Sequence, residues 1–151
     1  MSEYRLTSEI IKLSVADIWD MAKLEWGLHE IYEAEEPETC LCRHFPIKEI
    51  CVLRNKANGN FTVVGNCCVK KFIGLPSDKI FQAVKRVRKD DEKSLNAEAI
   101  NHAFEKGWIN QWEFEFSIDT MRKRNLSLKQ VQTRKKINVK MLANMKRTSN
   151  K

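Results

Sequence analysis

The chain has 151 residues, 42% hydrophobic and 31% charged, enough for one domain with a real core, or a domain with an appendage. No run of 18 apolar residues occurs and the start, Met-Ser-Glu-Tyr-Arg, has no charged-then-apolar leader, so neither a membrane span nor export is expected and a cytoplasmic location is. The net charge of +7 conceals an asymmetry: residues 1–40 hold ten acids and three bases, 41–119 ten acids and thirteen bases, and 120–151 eleven bases and no acid.

In chain order, Ser14-Val-Ala-Asp17 reads as a capping-box-like start, followed by Ile18, Trp19, Ala22 and Trp26 at helical spacing until Gly27. The spacing predicts a first amphipathic helix there. Leu28 to Ala34 reads as a short strand entering an acidic loop, Glu35-Glu36-Pro37-Glu38, where Pro37 bars a continuing helix. Ile47 to Leu53 and Phe61 to Val64 are β-rich runs on either side of Asn58-Gly59, the strongest short-range signal for a hairpin. Gly65-Asn66 supplies a turn and an N-cap for a short helix through Cys67, Cys68, Val69 and Phe72, closed by Gly74.

Ser77 caps a helix to about Lys89 with Ile80, Phe81, Val84 and Val87 on one stripe and Lys85, Arg86, Arg88 and Lys89 largely elsewhere. Asp90 to Ser94 is a polar break, and Leu95 to Lys106 a helix ending at Gly107. Asn110 with Glu113, and Ser127 with Gln130, repeat the capping-box pattern before two further helices. The expected fold is α+β and mostly helical: a zinc-stabilised β-hairpin plus helix over residues 1–107 with flanking helices, then a basic helical hairpin over 108–151.

Four of the five cysteines and one of the three histidines fall in two clusters between Cys40 and Cys68. In a reducing compartment an odd number of cysteines argues against disulfides, and thiolate with imidazole is a donor set Zn²⁺ favours. The expected ligands are Cys40, Cys42, His44 and Cys68, with Cys67 as the substitute for His44. Residues 40, 42 and 44 would share one side if the segment were extended, and a turn could also aim them at one point; Cys68 at a helix start has backbone amides to stabilise its thiolate. Cys51, among Ile50, Val52 and Leu53, reads as core, and His29 and His102 as structural or exposed residues.

The order knuckle, hairpin, helix resembles the treble-clef class of zinc folds. The segment Cys40-Leu-Cys-Arg-His with Val64-Gly-Asn-Cys-Cys-Val-Lys-Lys-Phe72 is similar to small, largely uncharacterised cysteine-motif proteins of bacteriophages, mobile elements and large DNA viruses. The similarity covers residues 24–76, and more weakly Trp112-Glu and Leu126 to Gln130. That family keeps counterparts of Cys42, Gly65 and Cys68. It often has Gly where this chain has Arg43, so a positive φ there would be strained, and it commonly separates the first two cysteines by two residues rather than one. The resemblance implies zinc binding and a phage-type origin, not an established activity.

Treble-clef nucleases need a histidine base and further ligands on the helix, and after the hairpin no histidine occurs until His102. No phosphate loop, nucleophile elbow or paired-carboxylate motif is visible, so an enzyme is not expected. The expected partner is nucleic acid, contacted at backbone phosphates with weak sequence preference by Lys70, Lys71, Lys85, Arg86, Arg88, Lys89, Arg122, Lys123, Arg124, Lys129, Arg134, Lys135, Lys136 and Lys140. The alternative is an acidic protein gripped by basic helices and an exposed Trp108 or Trp112.

Overall fold

Alternating apolar residues on both sides of the Asn58-Gly59 turn organise the first part of the chain. In the computed structural model, which describes residues 2–147, β2 (Ile47–Asn55) and β3 (Phe61–Gly65) pair antiparallel, with Cys51 opposite Val64 and Leu53 opposite Thr62. The end of the basic tail, 148–151, lies outside the described residues. Asn55, fully buried, shapes the turn by accepting the N–H groups of Ala57 and Asn58 at 2.7 and 3.1 Å, and Gly59 takes a φ of 78° that suits glycine.

β1 (Trp26–Glu38) pairs with the other edge of β2, Ile31 opposite Cys51 and Tyr32 opposite Ile50. A two-residue strand, β4 (Lys146–Arg147), adds in parallel beside Glu33 and Ala34, so the order is β3-β2-β1-β4. Successive residues point to opposite faces. Tyr32, Ala34 and Ile50 form one buried cluster with Ile47, Val52 and Val63 against it, and Ile31, Cys51, Leu53 and Val64 are buried on the other side. Removing a side chain such as Ile31 or Leu53 from water is worth about 1.5–3 kcal/mol.

The predicted helix over 14–26 is replaced by other structure. α1 (Ser2–Lys12), which sequence analysis did not anticipate, buries Leu6 and Ile10. Within 14–26 the helical structure is limited to Trp19–Ala22 (α2) and a 3₁₀ turn, Lys23–Glu25. Ser14 does not start a helix: its hydroxyl donates to Ile10 O at 2.6 Å and accepts from Trp26 Nε1 at 2.8 Å. The N–H groups of Val15 and Ala16 are taken by the Glu25 carboxylate, both at 2.8 Å, a long-range cap that removes the need for a helical turn at this point. The acidic stretch 35–38 is likewise strand rather than loop. Pro37 is tolerated there because the ladder is irregular between Glu33 and Glu38.

Chain contacts divide the protein into two compact units, one built from residues up to Asp78 with the strand that begins at Lys146, the other from Lys79–Met145. The boundary expected at 107/108 falls inside the second. That unit contains most of α4 (Ser77–Lys89), then α5 (Ala97–Glu105), α6 (Gln111–Thr120) and α7 (Leu128–Met145). Ile80, Phe81, Val84 and Val87 are all buried and the four bases of α4 exposed, as the stripe predicted. Both capping boxes form: Asn110 Oδ1 accepts from Glu113 N at 2.8 Å and Glu113 Oε1 from Asn110 N at 2.9 Å, while Ser127 Oγ accepts from Gln130 N at 3.2 Å and Gln130 Oε1 from Ser127 N at 3.0 Å. The result is an α+β fold with helix in the majority. Among the described residues no helix is long and apolar enough to cross a membrane.

Candidate metal centre

Between β1 and β2 the backbone folds over on itself at Cys40. Arg43 N–H donates to Cys40 O at 2.7 Å and Cys40 N–H to His44 O at 2.9 Å, while Leu41 N–H donates to Val63 O at 3.0 Å and so fastens the turn to β3. Arg43 closes it with a φ of 75°. A non-glycine residue in this region costs of order 1–3 kcal/mol, so the strain anticipated for Arg43 is present.

Cys68 arrives from the other side of the hairpin. β3 ends at Gly65, where an added Cβ would lie 3.1 Å from Ile47 Cγ2. The chain then turns into a single helical turn, α3 (Asn66–Cys68), which widens to a π-helical turn over Val69–Ile73 and stops at Gly74 with a φ of 84°. Asn66 lies inside this turn and is not its cap: its amide donates to Glu49 at 3.0 Å and Asp78 at 3.1 Å and its oxygen accepts from Ser77 at 2.7 Å. Ser77, expected to cap α4, is its first residue, and its hydroxyl donates to Asn66. This buried network ties α3 to β2 and to the start of α4, so the position of Cys68 depends on bonds no local pattern encodes.

The Sγ atoms of Cys40, Cys42 and Cys68 lie within 4.8 Å of one another, and all three residues are buried. Cys68 Sγ is 3.7 Å from Cys42 Sγ. Two sulfurs on a tetrahedral zinc at about 2.3 Å are separated by about 3.8 Å, so the spacing and the soft donors fit such an ion. His44 and Cys67 are exposed and stand outside the triad. Cys51 is fully buried in β2, and burial pushes its thiol up to about 12, which keeps it a protonated core residue.

Hydrogen bonding sets Cys40 and Cys68 apart. Cys40 is held below the usual thiol range first by the hydrogen bond from the Cys68 thiol, against the opposing effect of burial, and further by the Gly65 N–H at 3.3 Å. Cys68 moves the other way, because it donates that bond and is itself desolvated. Without a cation, this hydrogen bonding favours a thiolate on Cys40 over one on Cys68. Gly65 acts through its backbone, so residue identity carried no signal of this role.

Comparison with protein-family models, curated proteins and solved structures finds no match.

The bases expected to meet a polyanion differ in how they are engaged. Lys70 lies 3.4 Å from Asp78, Lys135 3.9 and 3.8 Å from Asp91 and Glu92, and Lys140 2.6 Å from Glu113. Arg134 is half-buried and donates to Glu92 O at 3.2 Å and Thr120 O at 2.6 Å; it is partly structural. Lys71, Lys85, Arg86, Arg88, Lys89, Arg122, Lys123, Arg124, Lys129 and Lys136 are exposed. Trp112 is 59% exposed and stacks on Phe116 at 5.4 Å, whereas Trp108 is half-buried beside His102.

Proposed function

We propose that the protein is a zinc-stabilised nucleic-acid-binding accessory protein without enzymatic activity. The observation that carries the metal reading is the convergence of three sulfurs from two segments 26 residues apart. His44, on the same turn as Cys40 and Cys42, is the proposed fourth ligand. The ion would supply a cross-link between that turn and α3, the treble-clef-like arrangement of knuckle, hairpin and helix, and it would compensate the charge gathered on Cys40.

Nucleic-acid binding is supported by the charge pattern of the second unit. No acid follows Asp119 in the sequence, while exposed bases lie along α4 and at Arg122, Lys123, Arg124, Lys129 and Lys136. A surface of one sign binds polyanions through counterion release and reads little sequence. The resemblance of residues 24–76 to phage and viral cysteine-motif proteins supports an accessory role inside a host cell. The test is titration of generic single-stranded and duplex oligonucleotides across ionic strength. Binding should weaken with log–log slopes of about −0.7 or −0.9 per phosphate neutralised, respectively; no binding at low salt would sink the reading. Exposed Trp112 favours the second reading, an acidic protein partner anchored by an aromatic side chain.

A further inference from the structure

One cleft of about 570 Å³ opens in the second unit, lined from the end of α4 by Arg86, from the polar break by Asp90, Glu92, Lys93 and Ser94, from the α6–α7 connection by Met121 to Arg124, and from α7 by Arg134. We propose that it is a discrete site for closely spaced phosphate groups, and that its ligand is a short stretch of nucleic-acid backbone. The identity of the ligand rests on the nucleic-acid reading; the site itself does not.

Six cationic side chains face two carboxylates here, and each carboxylate already has a partner. Glu92 lies 3.8 Å from Lys135 Nζ, and Asp90 Oδ1 accepts the Glu92 N–H at 3.1 Å. Among the described residues the directed bonds of Arg86 and Arg134 go to neutral carbonyls: Arg86 to Ser94 O at 2.5 Å, Arg134 to Glu92 O and Thr120 O. Such bonds aim a guanidinium and stitch the walls together without cancelling its charge. Burial already works against the charged form of Arg134, and an anion in the cleft would relieve that cost. Among the described residues Arg122, Lys123 and Arg124 make no ion pair.

The lining also says what the ligand is not. Among the described residues Met121 is its single apolar side chain and no aromatic lines it, so it lacks the stacking platform on which proteins hold unpaired bases. Guanidinium forks match phosphate oxygens in pairs. The cleft therefore reads charge and spacing rather than base identity. It also narrows the fourteen bases of the sequence analysis to a local set and adds Lys93, which lay unnoticed in the polar break.

The test uses the full chain, inorganic tripolyphosphate and a generic single-stranded oligonucleotide. Arg122→Ala with Arg124→Ala removes two charges that hold nothing in the fold, and Lys48→Ala with Lys56→Ala removes the same charge from exposed sites in the first unit. The cleft variant should lose tripolyphosphate binding and flatten the oligonucleotide salt slope by about 1.4, two phosphates at about 0.7 each, with zinc content and circular dichroism unchanged; the control pair should alter neither. Tripolyphosphate binding lost in the cleft variant, with no oligonucleotide binding by the parent protein, would uphold the site and reject nucleic acid as its ligand. Oligonucleotide binding of unaltered slope in the cleft variant would overturn the site while leaving the nucleic-acid reading intact. Failure of both probes to bind the parent protein would overturn both.

Discussion

Cys68 Sγ lies 3.7 Å from Cys42 Sγ across 26 residues of chain, a separation that two ligands of one tetrahedral zinc require. The purified, reduced protein should accordingly hold one zinc per chain. Cys42→Ala and Cys68→Ala should each lose it, whereas Cys51→Ala should keep it, since that thiol is a buried hydrophobe in β2. Elemental analysis decides, and zinc loss in the Cys51 variant would show the ligand set to be wrong. His44→Ala should weaken zinc affinity in chelator competition; unchanged affinity would assign the fourth position to Cys67 or to solvent.

Arg43 at a φ of 75° carries a cost that glycine avoids. Arg43→Gly should raise stability by about 0.5–1 kcal/mol once the greater freedom of glycine in the unfolded chain is deducted from the strain relieved. Arg43→Val should lower it, because a β-branched residue is a genuine outlier at positive φ. Chemical denaturation of the zinc-loaded protein measures both, and equal stability in the two variants would show that the turn relaxes.

Glu113 combines a capping box with an ion pair. Burial pushes its carboxyl up, but the Lys140 ammonium at 2.6 Å and the Asn110 N–H outweigh burial and hold it below the usual carboxylate range. A depressed folded-state value means the contribution is fully present above the unfolded value near 4.5 and is lost as pH falls through the lower folded one. Glu113→Gln should therefore lose stability at neutral pH and show a flatter decline between pH 5 and strongly acid conditions, read from thermal midpoints against pH. Glu113→Ala should cost about 1–2 kcal/mol at pH 7. Parallel pH curves for wild type and Gln variant would remove Glu113 from the acid response.

Arg134 separates structure from charge. Its fork reaches the carbonyls of Glu92 and Thr120 together, which a lysine cannot reproduce. Arg134→Lys should lower stability by about 1–2 kcal/mol while leaving the salt dependence of oligonucleotide binding nearly unchanged, because the charge remains. A collapsed salt slope with full stability would make Arg134 a ligand contact instead of a clamp.

Local chemistry was legible in the sequence. The Asn58-Gly59 turn, the stop at Gly74, the stripe of α4 and both capping boxes depend on residues a few positions apart, and each formed where periodicity and turn chemistry put it. The two cysteine clusters were legible too, because residue type and spacing alone mark them as candidate metal ligands. Tertiary structure alone decided which cysteines meet: Cys68 is turned inward and Cys67 outward by the network that Asn66 makes with Glu49, Ser77 and Asp78. It also decided that Glu25 caps residues ten and nine positions earlier, which defeated the helix expected over 14–26, and that Arg134 spends its donors on carbonyls from two other segments. Backbone donors and buried amides are satisfied by whatever the folded chain brings near, and a linear pattern holds no record of those partners.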